Sequence, residues 1–269
     1  MSKYYKTKEN VVFDTIVNLV MIFTLLVCFL PFVYMAALSF SSSKAIINNQ
    51  VLFWPVGFNL DAYKQIFTYP NFFQAYGNTF IYTIGGTTIA MLMTIMFAYP
   101  LSKDNLMGHK VFMKIVVISM FFAGGMIPNY ILMVSLGLRD TVASFILPGM
   151  ISTYYVILMR SFFLTLPREL EEAGEIDGLD LWGVFWRIAI PLSKPIIATM
   201  TLFYVVQYWN DWFDAFLYLD TTTKWPVAYY LRQLISSASG TSADAGDAMQ
   251  IASNIKSCAM VLTSAPIIC

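Results

Sequence analysis

Charge is what this sequence has least of. Asp, Glu, Lys and Arg make up 12% of its 269 residues, whereas a soluble domain carries roughly 25%. Apolar residues fill the gap at 58%, and the mean hydropathy is +0.65. A globule of this size could not hide so much apolar surface from water, so the solvent must be lipid. Histidine is nearly absent: His109 stands alone, beside Lys110 in a polar turn. That setting suits a solvated or headgroup-level side chain better than a ligand. The cysteines, Cys28, Cys258 and Cys269, lack disulfide or metal spacing and read as small apolar residues. No cluster of His, Cys, Asp or Glu has ligand or catalytic spacing, so neither a metal site nor catalytic residues are expected. The formal charge is zero, which argues against the basic footprint of a nucleic-acid binder. A G-x-x-x-x-G-K-[ST] phosphate loop is missing as well, so the chain cannot hold ATP in that manner.

What is present is a series of apolar runs. A membrane span takes about 20 mostly apolar residues. Runs of that kind cover 12–40, 72–101, 111–136, 142–164 and 188–219. Pro31 predicts a kink in the first; Gly124, Gly125 and Pro128 predict a loosened outer half in the third. A sixth run begins at 255 and stops at Cys269. It would reach about 22 Å, against a hydrocarbon core of about 30 Å, so we expect a sixth span that is truncated or completed some other way. The pattern predicts an all-α integral membrane protein of six spans, one transmembrane domain over 1–269. The N-terminal residues are basic, but the apolar run behind them is too long for a cleavable signal, so a retained first span is expected.

Orientation follows from Lys and Arg. With the N-terminus inside, ten of the 16 Lys and Arg lie in or beside inside segments. Both termini and the 166–195 segment are then cytoplasmic, and the polar loops 41–71 and 220–254 are external. The first loop predicts a short helix near 61–67.

The 166–195 segment holds six of the 16 acidic residues: Glu169, Glu171, Glu172, Glu175, Asp177 and Asp180. Pro167 permits a helix start, and Arg168 to Ile176 favour helix. Glutamates in a first turn suit the positive end of the helix dipole. Gly178 stands where a C-cap would end the helix. Beyond it, Trp182, Phe185 and Trp186 suit interface depth. The segment is either a solvated interfacial hairpin or a knob for a cytoplasmic partner.

Its spacing resembles the cytoplasmic loop of ABC importer permease subunits, E-A-A-x3-G-x9-I-x-L-P. Glu172, Ala173, Gly174, Gly178, Ile188, Ile190 and Pro191 fall in register, with Gly174 in place of the second Ala and Ile190 in place of Leu. Asp177 before Gly178 also matches. Further likeness lies in Phe58 to Tyr63, Asn78-Thr79, Trp209-Asn210 and Pro226-Val227. The chain resembles carbohydrate-type permeases, of the MalG-related, LplC-like oligosaccharide group, over nearly its whole length.

The resemblance implies a type I importer permease fold with a MetI-like core, in a bacterial cell membrane. It implies a second, non-identical permease subunit, an ATPase subunit dimer and an extracytoplasmic solute-binding protein. ATP and Mg would sit on the ATPase, with no cofactor on this chain. Glu172, Ala173, Gly174, Asp177, Gly178, Ile188 and Pro191 would couple the loop to the ATPase. Residues 220–254 would meet the binding protein, with Lys224, Trp225, Tyr229 and Arg232 as contacts; the alternative is a plain connector. For the pathway, rings and amides late in the fifth run suit a sugar: Tyr204, Gln207, Trp209 and Asn210. The alternatives there are an interfacial aromatic belt and, for Gly85, Gly86, Thr87 and Thr88, close helix packing. Two other function classes have less behind them. An ion-coupled secondary transporter needs ionisable groups mid-span, which spans two to four scarcely have. A membrane enzyme has no catalytic constellation to support it.

Overall fold

A computed structural model describes residues 8–122, 124–240, 256–264 and 266. Every regular element among them is helical. In chain order these are α1 (Lys8–Ser39), α2 (Ser43–Ile47), α3 (Asp61–Thr68), α4 (Phe72–Leu101), α5 (His109–Phe121), α6 (Met126–Ser135), α7 (Val142–Ile146), α8 (Thr153–Phe163), α9 (Arg168–Ile176) and α10 (Leu181–Val184). A π-helical turn (Phe185–Ala189) follows, then α11 (Ile190–Leu192), α12 (Lys194–Asn210), α13 (Phe213–Tyr218) and α14 (Val227–Gly240). The chain groups into two compact units, one of Met1–Pro70 with Leu231–Cys269, the other of Asn71–Tyr230.

In the first unit, α1 runs through Pro31 as one helix of 32 residues. The Thr15 and Thr24 hydroxyls donate to carbonyls one turn back, which hides their polarity from an apolar solvent. At its end the chain turns into a small cluster of Ala37, Ala45 and Val51. Tyr63 on α3 donates to Ser39 Oγ at 2.9 Å, and Phe40 stacks between Phe58 and Tyr63.

The second unit is organised by α4. Small residues line its buried face: Ala75, Thr79, Gly86, Ala90, Thr94 and Ala98. Large side chains of α12 fill the space they leave. The Tyr208 ring lies where a Cβ on Gly86 would come within 2.8 Å of it, and the Tyr208 hydroxyl donates to the Ile146 carbonyl at 3.0 Å. One turn away, Tyr204 and Thr94 share a hydrogen bond of 2.7 Å. Small-against-large packing lets two backbones approach closely where apolar solvent offers no drive of its own.

The span boundaries agree with the sequence at α1 and α4 and differ elsewhere. The run at 111–136 is two helices, with Gly125 at φ +87° opening the second. The run at 142–164 breaks after α7, where Pro148 lacks an N–H and Gly149 lies under Gln207 and Tyr208. Helix α8, with 11 residues, covers only about 16 Å. The run at 188–219 starts inside a π-turn, upstream of Pro191, and its helices bend by 78° beside Ser193. Helix α12 stops at Asn210 because the Asp211 carboxylate accepts from the backbone N–H groups of Phe213 and Asp214, both at 3.1 Å, and starts α13 afresh. The loop expected over 220–254 holds α14, whose Val227, Tyr230 and Leu231 are buried at helical spacing. The part of that loop beyond Gly240, and the extent of the sixth run, lie outside the described residues. Among the described residues two helices, α1 from Val11 and α4, are long and apolar enough to cross a membrane, or four if each bent pair is one span.

Candidate functional site

Helix α9 forms as its sequence dictates. Pro167 precedes it, Glu169 and Glu171 occupy its first turn, and it ends at Ile176. The end is a Schellman motif: the Leu179 N–H donates to the Gly174 carbonyl and the Gly178 N–H to that of Glu175, both at 3.0 Å. Gly178 takes φ +85°, which an L side chain resists. Asp180 then caps α10, its carboxylate accepting from the Gly183 N–H at 2.8 Å.

The residues singled out in this segment fall into two groups. Glu172, Ala173, Asp177, Gly178 and Pro191 are exposed. Gly174 is buried and Ile188 half-buried, and they pack on each other. A Cβ on Gly174 would lie 2.4 Å from Ile188 Cδ1. The methyl of Ile188 therefore fills the volume that an alanine at 174 would take. Gly174 does not merely loosen α9; it seats the helix on the π-turn.

Partners outside the segment were not found from sequence. Lys103, in the turn after α4, forms an ion pair with Glu171 and lies 4.4 Å over the Tyr99 ring. The Tyr99 hydroxyl donates to the same carboxylate at 3.4 Å. Asp104 pairs with Arg168; the hydrogen bond from that guanidinium holds the Asp104 carboxyl below the usual carboxylate range. Close by, Arg160 Nε of α8 donates to the Leu101 carbonyl at 2.6 Å, and His109 Nε2 lies 2.9 Å from that oxygen. His109 is thus half-buried against the end of α4 rather than solvated. The signal available in advance was opposite charge: Lys103-Asp104 in one short loop, Arg168 and Glu171 in another on the same expected side. Between them opens a cleft of about 760 Å³, lined by Tyr99, Lys103, Met107, Glu172, Trp182 and Phe185 among others.

The pathway candidates separate cleanly. Gln207 and Asn210 lie on an exposed face of α12, three residues apart and therefore adjacent on the helix. Asn210 donates to the Val206 carbonyl at 2.9 Å. Tyr204 is fully buried and Trp209 is 4% exposed, the latter packed on Tyr76 and Phe80. Those two build the core behind the face.

In the 220–232 stretch, Lys224 is used internally. Its ammonium donates to the Asp140 carboxylate at 2.7 Å and to the Asp140 carbonyl. Asp140 also accepts from the backbone N–H groups of Asp220 and Thr221, both at 3.1 Å, and from the Thr221 hydroxyl at 2.6 Å. Burial alone would raise its pKa, but these donors win and hold the carboxyl well below its usual range. The Trp225 indole N–H donates to the Leu219 carbonyl at 3.1 Å. Tyr229 is 6% exposed, against Trp225; Arg232 is exposed. On α4, Asn78 donates to the carbonyls of Thr223 and Trp225, Tyr82 donates to that of Lys224, and Thr79 Oγ1 accepts from the Val227 N–H. Sequence reasoning passed over Asp140, whose φ of +57° marks a turn that Asp tolerates.

No protein-family model matches the chain. Protein LplC of Bacillus subtilis (strain 168) is 41% identical over 268 residues, covering 98% of this chain and 90% of that protein. The polygalacturonan/rhamnogalacturonan transport system permease protein YtcP of the same organism is 37% identical over 236 residues, covering 88% of this chain and 82% of that one. A solved bacterial ABC transporter involved in the import of the acidic polysaccharide alginate contains a chain with a TM-score of 0.85 and 28% identity, covering 99% of this chain and 96% of that chain.

Proposed function

We propose a transport mechanism from the premise that this chain belongs to the permease subunits of carbohydrate ABC importers, the family its similarity shows over nearly all its length. Such a subunit is a translocating membrane component and not an enzyme. We infer that it spans the cell membrane with both ends inside, by six crossings, beside a second, unlike permease. An ATPase dimer, carrying the ATP and Mg, docks beneath; a solute-binding protein delivers an oligosaccharide from outside.

The observation that carries this reading is the exposed face of α9. A helix with Glu169, Glu172 and Glu175 exposed, and Glu171 tied to the far end of a long apolar helix, suits a partner that pushes. Glu172, Ala173 and Asp177 on that face meet the ATPase; Gly174 and Ile188 keep the helix seated, Gly178 turns the chain away, and Pro191 opens the way into α12. ATP-driven closure of the dimer then moves the spans by rigid-body alternating access. Gln207 and Asn210 line the path with amide groups suited to sugar hydroxyls, on a wall built by Tyr204 and Trp209. On the outside, Arg232 and the rim of Trp225 face the binding protein, on a loop stiffened by Lys224 and the buried Tyr229. Two similar proteins handle acidic polysaccharides by name, so uronate-containing and neutral oligosaccharides are both required as probes.

The test is uptake into proteoliposomes holding this chain with its partner permease, ATPase and binding protein. Uptake should require ATP, and Glu172→Lys should insert normally yet release the ATPase on affinity purification. Uptake by this chain without any ATPase would sink the reading. A mutant that keeps the ATPase at wild-type yield and still transports would remove Glu172 from it.

A further inference from the structure

We propose that Lys103 and Glu171 form the joint through which movement of α9 enters α4, making both positioning residues for transport. The proposal rests on the coupling function above and adds a route to it.

Two routes lead out of α9. The first follows the backbone through the Gly178 turn, α10 and the π-turn into α12. It passes three compliant points: a left-handed glycine, a π-helical turn and a 78° bend at Ser193. The second runs sideways from the first turn of α9 to Lys103, two residues past the end of α4. It is one ion pair, backed by the Tyr99 hydrogen bond to the same carboxylate, and beyond it lies a continuous helix of 30 residues. Force delivered at the Leu101 end moves α4 as a rod. The same turn is held to α8 through Arg160 and lies against His109 of α5, so a displacement there reaches three helices.

The pair is built to bear such a load. Lys103 and Glu171 have side chains 29% and 15% exposed, whereas the neighbouring Arg168–Asp104 pair is 70% and 66% exposed. Solvent and salt screen the exposed pair far more. Lys103 is also held over the Tyr99 ring, and Tyr99 bonds Glu171. Removing the ammonium leaves a half-buried carboxylate uncompensated. Glu172, the next residue, is exposed instead. Adjacent glutamates thus have separable tasks, one toward the ATPase and one toward the spans.

The experiment uses the whole importer in proteoliposomes and reads two quantities: ATPase retained on purification, and sugar taken up per ATP hydrolysed. Lys103→Glu should keep the ATPase bound and hydrolysing but lower uptake per ATP about tenfold, within the usual range of coupling between sites. The charge swap Lys103→Glu with Glu171→Lys should restore most of the loss, and Lys103→Arg should stay near wild type. An unchanged ratio in Lys103→Glu overturns the joint. So does a charge swap no better than the single variant. Should Lys103→Glu fail to assemble, the swap decides: assembly regained with coupling supports the joint, and assembly regained without coupling, or not regained, overturns it. If the wild-type chain itself retains no ATPase, the coupling function falls first and takes the joint with it.

Discussion

At the end of α4 near Asn78, three uncharged side chains reach backbone atoms of the 222–227 segment; near Leu101, the turn after the helix is held to α9 by two ion pairs between side chains. The difference is one of tolerance. A hydrogen bond to a backbone group weakens steeply with angle, so Asn78, Thr79 and Tyr82 hold one geometry. Coulomb attraction falls slowly with distance, and long side chains can follow a moving partner. The first end is a bracket, completed by Asp140 and Lys224. The second is a joint. One helix carries both, which is the arrangement required if a push at one end is to act against a fixed point at the other.

That contrast can be broken most severely in the middle of α4. Gly86→Leu would drive a side chain into the Tyr208 ring, and overpacking of this size costs about 1–3 kcal/mol or more. It should lower the yield of folded protein in detergent more than any substitution at either end; a normal thermal melt would show that α4 and α12 are not locked together. Next in size, Asp140→Ala strands the Lys224 ammonium and two backbone donors. The Lys224 side chain is 40% exposed, so water replaces part of what is lost and the total should stay at about 1–2 kcal/mol; the melting temperature should fall by several degrees while ATPase binding is unchanged. Loss of ATPase binding there would erase the distinction between bracket and joint.

Smaller effects sharpen the picture. Gly174→Ala must displace only the tip of Ile188, so its stability change should stay near about 1 kcal/mol, and Gly174→Ala with Ile188→Val should recover it. A pair no better than the single change would remove the seating contact. The smallest expected change is with pH. The pKa of Asp140 is lower in the folded chain than in the unfolded one. Its contribution is therefore complete above the ordinary carboxylate value near about 4 and is lost only as pH falls through the depressed one. Melting temperatures of wild type and Asp140→Asn should keep a constant gap from pH 7 to pH 5 and converge only in stronger acid. Convergence already at pH 5 would mean that Lys224 does not hold the carboxylate.

Where the sequence carried one dominant signal, structure could be read from it. The limits of α4 match the apolar run to the residue, because thirty lipid-compatible residues, whose one proline is the next-to-last, have helix as their regular solution in an apolar solvent. Helix α9 was equally legible, since proline, glutamates and glycine each mark a different point along it. Reading failed where apolar residues and breakers mix. Pro148-Gly149 and Asp211 sit inside hydrophobic stretches, and composition averages over them. It failed also for long-range partners: Lys103, Asp140 and Arg160 lie tens of residues from what they hold, and sequence spacing does not carry that separation. Tyr204 and Trp209 looked like pathway residues because aromatic rings suit both sugars and cores; only burial tells the two apart.

The contact between Gly174 and Ile188 has a consequence for anyone who exchanges parts between such proteins. The side chain missing at 174 and the methyl present at 188 occupy one volume. A graft of α9 that left position 188 behind would carry a void or a clash with it, depending on the host. The transferable piece is therefore not the helix, but the helix together with the turn it rests on.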